Sequence, residues 1–322
     1  QAYHVFLTGT GFGGIALALM SLCRPGDEIL VSDNVYGPTK EISQELMREF
    51  EVNAKFYNPE SFEDLKEKIS KKTKMILVEN PGSNTFEFQD LSKIVSLAKR
   101  KKIYTLLDNT WGTPLYLKPL KLGFDMSFCS ATKYFSGHSD AMGGSLAVNK
   151  KVFSKIMFFY KLSGYRMSAD EAYLIIRGLR TLDTRLKQHF ENTKIVINFL
   201  RKQKKIKEIL YPYNPSTKNY KLWKKYYSGA TGLFSIVIKS KKKSSVVKFV
   251  NSLELFGIGY SWGGFESLAI LQDLKSPKKD QYIKGRRYYR FKNDEYIVRL
   301  HIGLEEPKDL INDLKQGLRK IK

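Results

Sequence analysis

Short apolar runs alternate with longer stretches of helical periodicity through the first half of the chain. Runs at 3–7, 28–32, 74–78, 103–107, 126–129 and 145–148 read as strands, and segments at 15–22, 39–50, 62–69, 91–100, 152–160 and 169–180 as helices. Strands that alternate with helices of this length predict a mostly parallel, doubly wound α/β sheet, because each parallel crossover needs about a helix's worth of chain. Near residue 179 the pattern changes to a long helix at 182–202, a strand at 232–239, a helix at 245–253, a strand at 296–302 and a final helix from 309. A chain of 322 residues exceeds what one core usually fills, so the reading is a large domain over 1–179 and a smaller C-terminal α+β domain over 180–322.

In such a sheet ligands sit at the carboxyl ends of the strands, and several of these ends carry chemistry. After 126–129 come Ser130, Thr132 and Lys133. A lysine in this position is commonly a solvated surface residue. Two hydroxyls beside an amine also suit a phosphorylated carbonyl cofactor: the hydroxyls donate to phosphate oxygens and the amine condenses with an aldehyde as a Schiff base. After 103–107 comes Asp108, which either caps the next element or is buried against a cation such as the protonated ring nitrogen of pyridoxal phosphate.

The first strand leads through Thr8-Gly-Thr-Gly-Phe-Gly-Gly14 into a helix whose leading amides have no internal partner, which makes an anion cradle. Gly9, Gly11 and Gly14 also spell G-x-G-x-x-G, with Asp33 following the next strand at the dinucleotide spacing. An NAD-binding oxidoreductase therefore stands beside the pyridoxal phosphate reading. Tyr36, in the loop at 33–38, has no core to join and is either a stacking residue or an ordinary exposed tyrosine. Arg299 alternates with apolar neighbours in its strand, so it either meets solvent or points into a site, where a substrate carboxylate is its natural partner.

The formal net charge of +23 changes this picture little. The lysines and arginines are spread over predicted helices and loops without a recognisable nucleic-acid motif, which favours a solvated basic surface over a basic binding protein. No apolar run reaches membrane-spanning length and no signal-peptide order opens the chain. The two cysteines, Cys23 and Cys129, lie in apolar segments and read as reduced core residues of a cytoplasmic protein. The four histidines lack metal-ligand spacing, so no metal is expected.

Taken together, Ser130-Ala-Thr-Lys-Tyr with Gly137-His-Ser-Asp140 resembles the signature of the Cys/Met-metabolism branch of fold-type I pyridoxal phosphate enzymes. The resemblance continues in order through Asp108-Asn-Thr-Trp111, Pro114-Leu115, Arg177-Gly-Leu-Arg-Thr-Leu182, Tyr260-Ser-Trp-Gly-Gly-Phe-Glu-Ser-Leu268 and Arg299-Leu-His-Ile-Gly-Leu-Glu305. Trp111, Trp262 and the Pro81-Gly-Ser83 segment are more similar to bacterial β-lyases of the family than to its γ-synthases and γ-lyases.

The resemblance implies a seven-stranded sheet of the pyridoxal phosphate-dependent transferase kind and carbon–sulfur β-elimination from a small sulfur amino acid. It implies Lys133 and Tyr36 as catalytic residues, Lys133 holding the cofactor and Tyr36 stacking on its ring. Asp108 would meet the ring nitrogen, while Ser130, Thr132 and the amides of Gly11 and Phe12 hold the phosphate. Arg299, Ser261 and Trp262 would take the substrate. It further implies a homo-oligomer, a dimer or a dimer of dimers, with no nucleic-acid or membrane partner. A related γ-lyase or γ-synthase is the alternative within the family. Two departures are expected to matter. The family's amino-terminal segment, with a Tyr-x-Arg motif that reaches a neighbouring subunit's phosphate site, precedes the point where this sequence begins; the expectation is a fragment or weaker phosphate binding. Lys161 stands where the β-lyases carry a pocket tyrosine, with Tyr160 beside it.

Overall fold

The computed structural model describes residues 2–217, 219–274, 287–289 and 292–321. Among these residues, eleven strands form two sheets. The larger contains β1 (His4–Thr8), β2 (Glu28–Ser32), β3 (Asn53–Tyr57), β4 (Thr73–Glu79), β5 (Tyr104–Asp108), β6 (Met126–Ser130) and β7 (Gly144–Val148), in the spatial order β1-β7-β6-β5-β4-β2-β3. β2 to β6 are parallel, and β7 runs against both of its neighbours. The mostly parallel sheet read from the sequence is therefore present, with one antiparallel insertion.

The inner strands are continuous apolar runs because both of their faces are covered. β2 is buried at every position. β4 sends Ile76 and Val78 into one core and Met75 and Leu77 into the other, as the two-residue period of a strand requires. The helices Gly11–Leu22 and Lys150–Ser163 cover one face, and the helix Leu91–Lys101 covers the other. That second core runs on through Phe234, Ile236 and Val298 into the smaller sheet, so the two sheets share apolar packing.

The smaller sheet is antiparallel, β8 (Ile206–Leu210), β9 (Leu233–Lys239), β10 (Leu268–Gln272) and β11 (Glu295–His301), in the order β10-β11-β9-β8. Three helices, Lys150–Ser163, Ala169–Leu179 and Leu182–Leu200, separate β7 from β8. We place the domain boundary at residue 179 within this helical stretch.

β3, β8 and β10 were not anticipated from the apolar pattern. Each has polar or half-exposed positions: β3 is an edge strand with Asn53 exposed and Ala54 and Lys55 half-buried, and β8 is an edge strand carrying Lys207 and Glu208. The helix expected at 39–50 begins at Gly37 and includes a π turn at Ile42–Leu46.

Gly14 lets the helix Gly11–Leu22 lie on β6, since a Cβ there would fall 2.8 Å from the ring of Phe128. Ordinarily Gly to Ala inside a helix gains about 1 kcal/mol, whereas overfilling a packed core costs about 1–3 kcal/mol. Gly14→Ala should therefore lower the urea midpoint, and adding Phe128→Leu should restore it; a single variant as stable as the parent contradicts this packing.

Candidate active site

The carboxyl ends of β1, β2, β4, β5 and β6 open on one cavity of about 420 Å³, roofed by residues of the smaller sheet and its loops. Its floor begins at the glycine turn. Thr10 caps the helix Gly11–Leu22 by accepting the Gly13 amide at 2.9 Å, which leaves the preceding amides of the first turn at the positive end of the helix. Gly11 permits close approach: a Cβ there would sit 2.6 Å from the Ser130 hydroxyl at the end of β6. Ser130 is itself held by its amide, which donates to the Thr110 hydroxyl at 2.9 Å. Thr132 exchanges hydrogen bonds with Gly143, accepting from its amide at 3.0 Å.

Asp108 ends β5 and faces the same cavity. Its carboxylate accepts from the amide and hydroxyl of Thr110, at 2.9 and 2.5 Å. Burial still pushes its pKa up to about 6, against the pull of those bonds and of the Lys133 charge. Lys133 lies one strand along, half-buried, with Nζ donating to the Ser261 hydroxyl at 2.8 Å and standing 5.5 Å from the centre of the Trp262 ring. Burial, and then the positive charge of Arg299, pull its amine down to about 8, while Asp108 works the other way. A larger neutral fraction near neutrality is what a nucleophilic amine requires.

Arg299 is 6% exposed, on β11 of the smaller sheet. Its Nη2 donates to the carbonyls of Gly259, Tyr260 and Ser261 at 3.2, 2.8 and 3.3 Å. No carboxylate pairs with it among the described residues, and burial lowers its pKa to about 10. Tyr36 lies across the cavity, 45% exposed, with its amide donating to Glu79 at 2.6 Å. Burial raises the pKa of its phenol.

Gly11, Phe12, Tyr36, Asp108, Ser130, Thr132, Lys133, Trp262 and Arg299 all line this cavity, and Ser261 joins them through its bond to Lys133. Asp33 does not. It is 1% exposed, and its carboxylate is taken by Lys40 at 2.8 Å and by Arg287 at 3.0 Å. The dinucleotide reading therefore loses its ribose-binding carboxylate: a buried Asp is stable here only because cations of the chain already meet it. Lys161 is exposed and lies outside the cavity wall, and Tyr160 donates to the Leu7 carbonyl at 2.8 Å.

Sequence reasoning missed Glu79, Thr110 and Gly263. Glu79 binds the Tyr36 amide and the Ser83 hydroxyl, so it ties two loops of the wall together. A carboxylate at the end of the strand 74–78 was the signal that would have found it.

Pyridoxal phosphate fits this donor set. The anionic group has a helix terminus, two hydroxyls and a glycine whose missing side chain leaves room. The aldehyde has an amine of depressed pKa, and the ring nitrogen has a buried carboxylate short of positive charge.

Comparison with known proteins agrees with this chemistry. The sequence profile of the Cys/Met metabolism PLP-dependent enzymes matches residues 1–319. Cystathionine beta-lyase of Bordetella avium is 35% identical over 98% of this chain and 77% of its own length. The L-alanine/L-glutamate racemase of Wolbachia pipientis wMel is 34% identical over 97% of the chain and 75% of its own length. The crystal structure of cystathionine gamma synthase from Xanthomonas oryzae pv. oryzae, in complex with aminoacrylate and cysteine, superposes with a TM-score of 0.89 at 26% identity, covering 99% of this chain and 82% of that one. A helix terminus, an amine and a carboxylate converging on one cavity thus accompany a match along almost the whole sequence, and the chain belongs to the Cys/Met metabolism family of PLP-dependent enzymes.

Proposed function

We propose that the chain is a carbon–sulfur lyase that cleaves an L-cystathionine-like thioether by β-elimination, giving homocysteine, pyruvate and ammonia. The observation that carries this reading is the Lys133 amine, lowered to about 8 and held by Ser261 within a cavity that also presents Asp108 and Arg299. When bound, pyridoxal phosphate supplies an electron sink for the charge that develops at the substrate Cα. The chain's own residues do the rest. Arg299 is the group suited to clamp the α-carboxylate, because it is cationic, buried and unpaired with any carboxylate among the described residues.

With the substrate amino group in place, the free Lys133 Nζ would take the proton from Cα. The Cβ–S bond would then break as the proton held on Lys133 Nζ passes to the sulfur, which leaves as the thiol, and the released enamine would be hydrolysed by water to pyruvate and ammonia. Asp108 would pair as a carboxylate with the cofactor's ring nitrogen, and Tyr36, on the wall of the same cavity, would stack on the ring. Similarity to a β-lyase at 35% identity, together with Trp262 beside Lys133, supports cleavage at Cβ over the γ-chemistry of other relatives.

A second reading of the same site is amino-acid racemisation, favoured by the 34% identity to a racemase. It shares the first step: Lys133 removes the Cα proton. A proton then returns to the opposite face, for which the Tyr36 phenol, kept protonated by its raised pKa, is the suitable donor.

Lys133→Ala should abolish turnover of L-cystathionine, and the parent should release pyruvate; 2-oxobutyrate in its place would assign γ-cleavage. In cofactor-free protein, acylation of Lys133 should titrate with a midpoint of about 8. Because Asp108 raises that value, Asp108→Asn should shift the midpoint lower, as read by mass-spectrometric mapping of the modified lysine; an upward shift would contradict the assigned electrostatics. Incubation with L-alanine should yield D-alanine on chiral chromatography, and Tyr36→Phe should slow this at least tenfold while sparing proton exchange at Cα; its absence rules out the second reading alone.

A further inference from the structure

Strand alternation puts His301 on the same face of β11 as Arg299, two residues away. His301 is 1% exposed, and the proposed reaction gives it no part. Its Nε2 accepts the Gly263 amide at 3.1 Å, and its Nδ1 stands 3.1 Å from the Glu266 carbonyl. A carbonyl only accepts, so Nδ1 carries the proton and Nε2 offers the lone pair. The two partners fix both the tautomer and the neutral state, since an imidazolium has nothing with which to accept the Gly263 amide.

The segment so held is the one that touches Lys133. Ser261 accepts from its amine and Trp262 lies beside it. Gly263 has φ +88, and a Cβ there would come within 2.9 Å of the Lys133 carbonyl carbon and the Tyr134 amide nitrogen. The loop backbone is thus laid directly on the Lys133 peptide, in a left-handed conformation that glycine tolerates. Arg299 grips the preceding carbonyls, at 259–261, and His301 fastens the turn on either side of Gly264. The ring packs against Tyr134 and His189, with centroids 5.9 and 5.1 Å away, so it has little room to rotate off its partners.

We propose that His301 is a positioning residue for the amine: its neutral imidazole pins Gly263 and Glu266, and through them holds Ser261 and Trp262 against Lys133. The inference rests on the reading of Lys133 as the reacting lysine for its catalytic consequence, and on the geometry alone for the loop. Misplacement of a catalytic group by about 1 Å can cost about 10²-fold in rate. Loss of the clasp should therefore appear in kcat more than in KM, because the Arg299 side chain that meets the substrate carboxylate is untouched.

Two substitutions separate hydrogen bonding from ring packing. His301→Phe keeps a ring among Tyr134 and His189 but cannot accept the Gly263 amide. His301→Gln offers a carbonyl oxygen to that amide and an N–H to Glu266. Hydrogen–deuterium exchange across 259–267 in the holoenzyme without substrate reports the loop, steady-state kinetics report the amine, and borohydride reduction followed by peptide mapping reports the cofactor at Lys133. The Phe variant should exchange at least tenfold faster in this segment and lose about 10²-fold in kcat, with the reduced adduct still formed at Lys133, and Gln should recover most of both. Exchange and kcat within twofold of the parent in the Phe variant, or equal impairment in Phe and Gln, would overturn the proposal. Should the Phe variant fail to fold, His301→Asn, too short to reach Gly263, replaces it: Asn impaired and Gln near the parent supports the clasp, and equal values refute it. A parent protein that gives no adduct at Lys133 would defeat the functional reading instead, leaving the exchange comparison to decide the role of His301 in the loop.

Discussion

A carboxylate at the end of a buried strand has to be met by positive charge, and this structure contains two solutions to that constraint. Asp33, after β2, is met from within the chain by Lys40 and Arg287. Among the described residues Asp108, at the end of β5, receives the Thr110 amide and hydroxyl and the charge of Lys133, and its pKa stays raised. The first arrangement is closed and structural. The second is short of a cation on the cavity side, where a protonated pyridine nitrogen would supply one. Lys133 carries the complementary deficit: burial and Arg299 lower its amine to about 8, and Asp108 only partly restores it. The cavity therefore holds an under-compensated acid and an under-protonated base, a pairing that favours a cofactor with a cationic ring and an electrophilic carbonyl.

The sheet makes this pairing possible by placing β5 and β6 side by side and parallel, with Asp108 opposite Phe128 in register. Both side chains then emerge at one edge, and β1, brought in beyond β7, delivers the glycine turn to the same edge. An antiparallel arrangement of β5 and β6 would send Asp108 and Lys133 to opposite ends of the sheet. The parallel topology is in this sense a condition for the chemistry, and the crossover helices Gly11–Leu22 and Leu91–Lys101 stabilise it by covering both faces with apolar side chains.

Much of this was legible in the sequence because it depends on local order. A strand followed by a hydroxyl-rich lysine motif, a strand followed by Asp, and a strand followed by glycines before an apolar helix each specify what stands at a strand end. What was not legible depends on which strand lies beside which. Asp33 and Asp108 follow similar apolar runs, and only the fold shows that one is consumed by Lys40 and Arg287. Lys161 illustrates the same point: the resemblance set it where β-lyases carry a pocket tyrosine, while the helix Lys150–Ser163 presents it to solvent. Edge strands β3 and β8 escaped because half-exposed strands carry the polar residues of loops.

The smaller sheet does more than roof the cavity. β11 sets two cationic or potentially cationic side chains, Arg299 and His301, side by side on one face, yet they act in opposite electrical states. Arg299 remains charged despite burial, because a guanidinium resists deprotonation and three carbonyls accept from it. His301 is held neutral by burial and by the charges of its neighbours, with a backbone amide that requires its lone pair. If His301 were charged, it would add a second cation behind Lys133 and release Gly263 from the strand. The division of labour on β11, one side chain that stays charged and one that must stay uncharged, therefore preserves both the position and the low pKa of the amine that the site is built around.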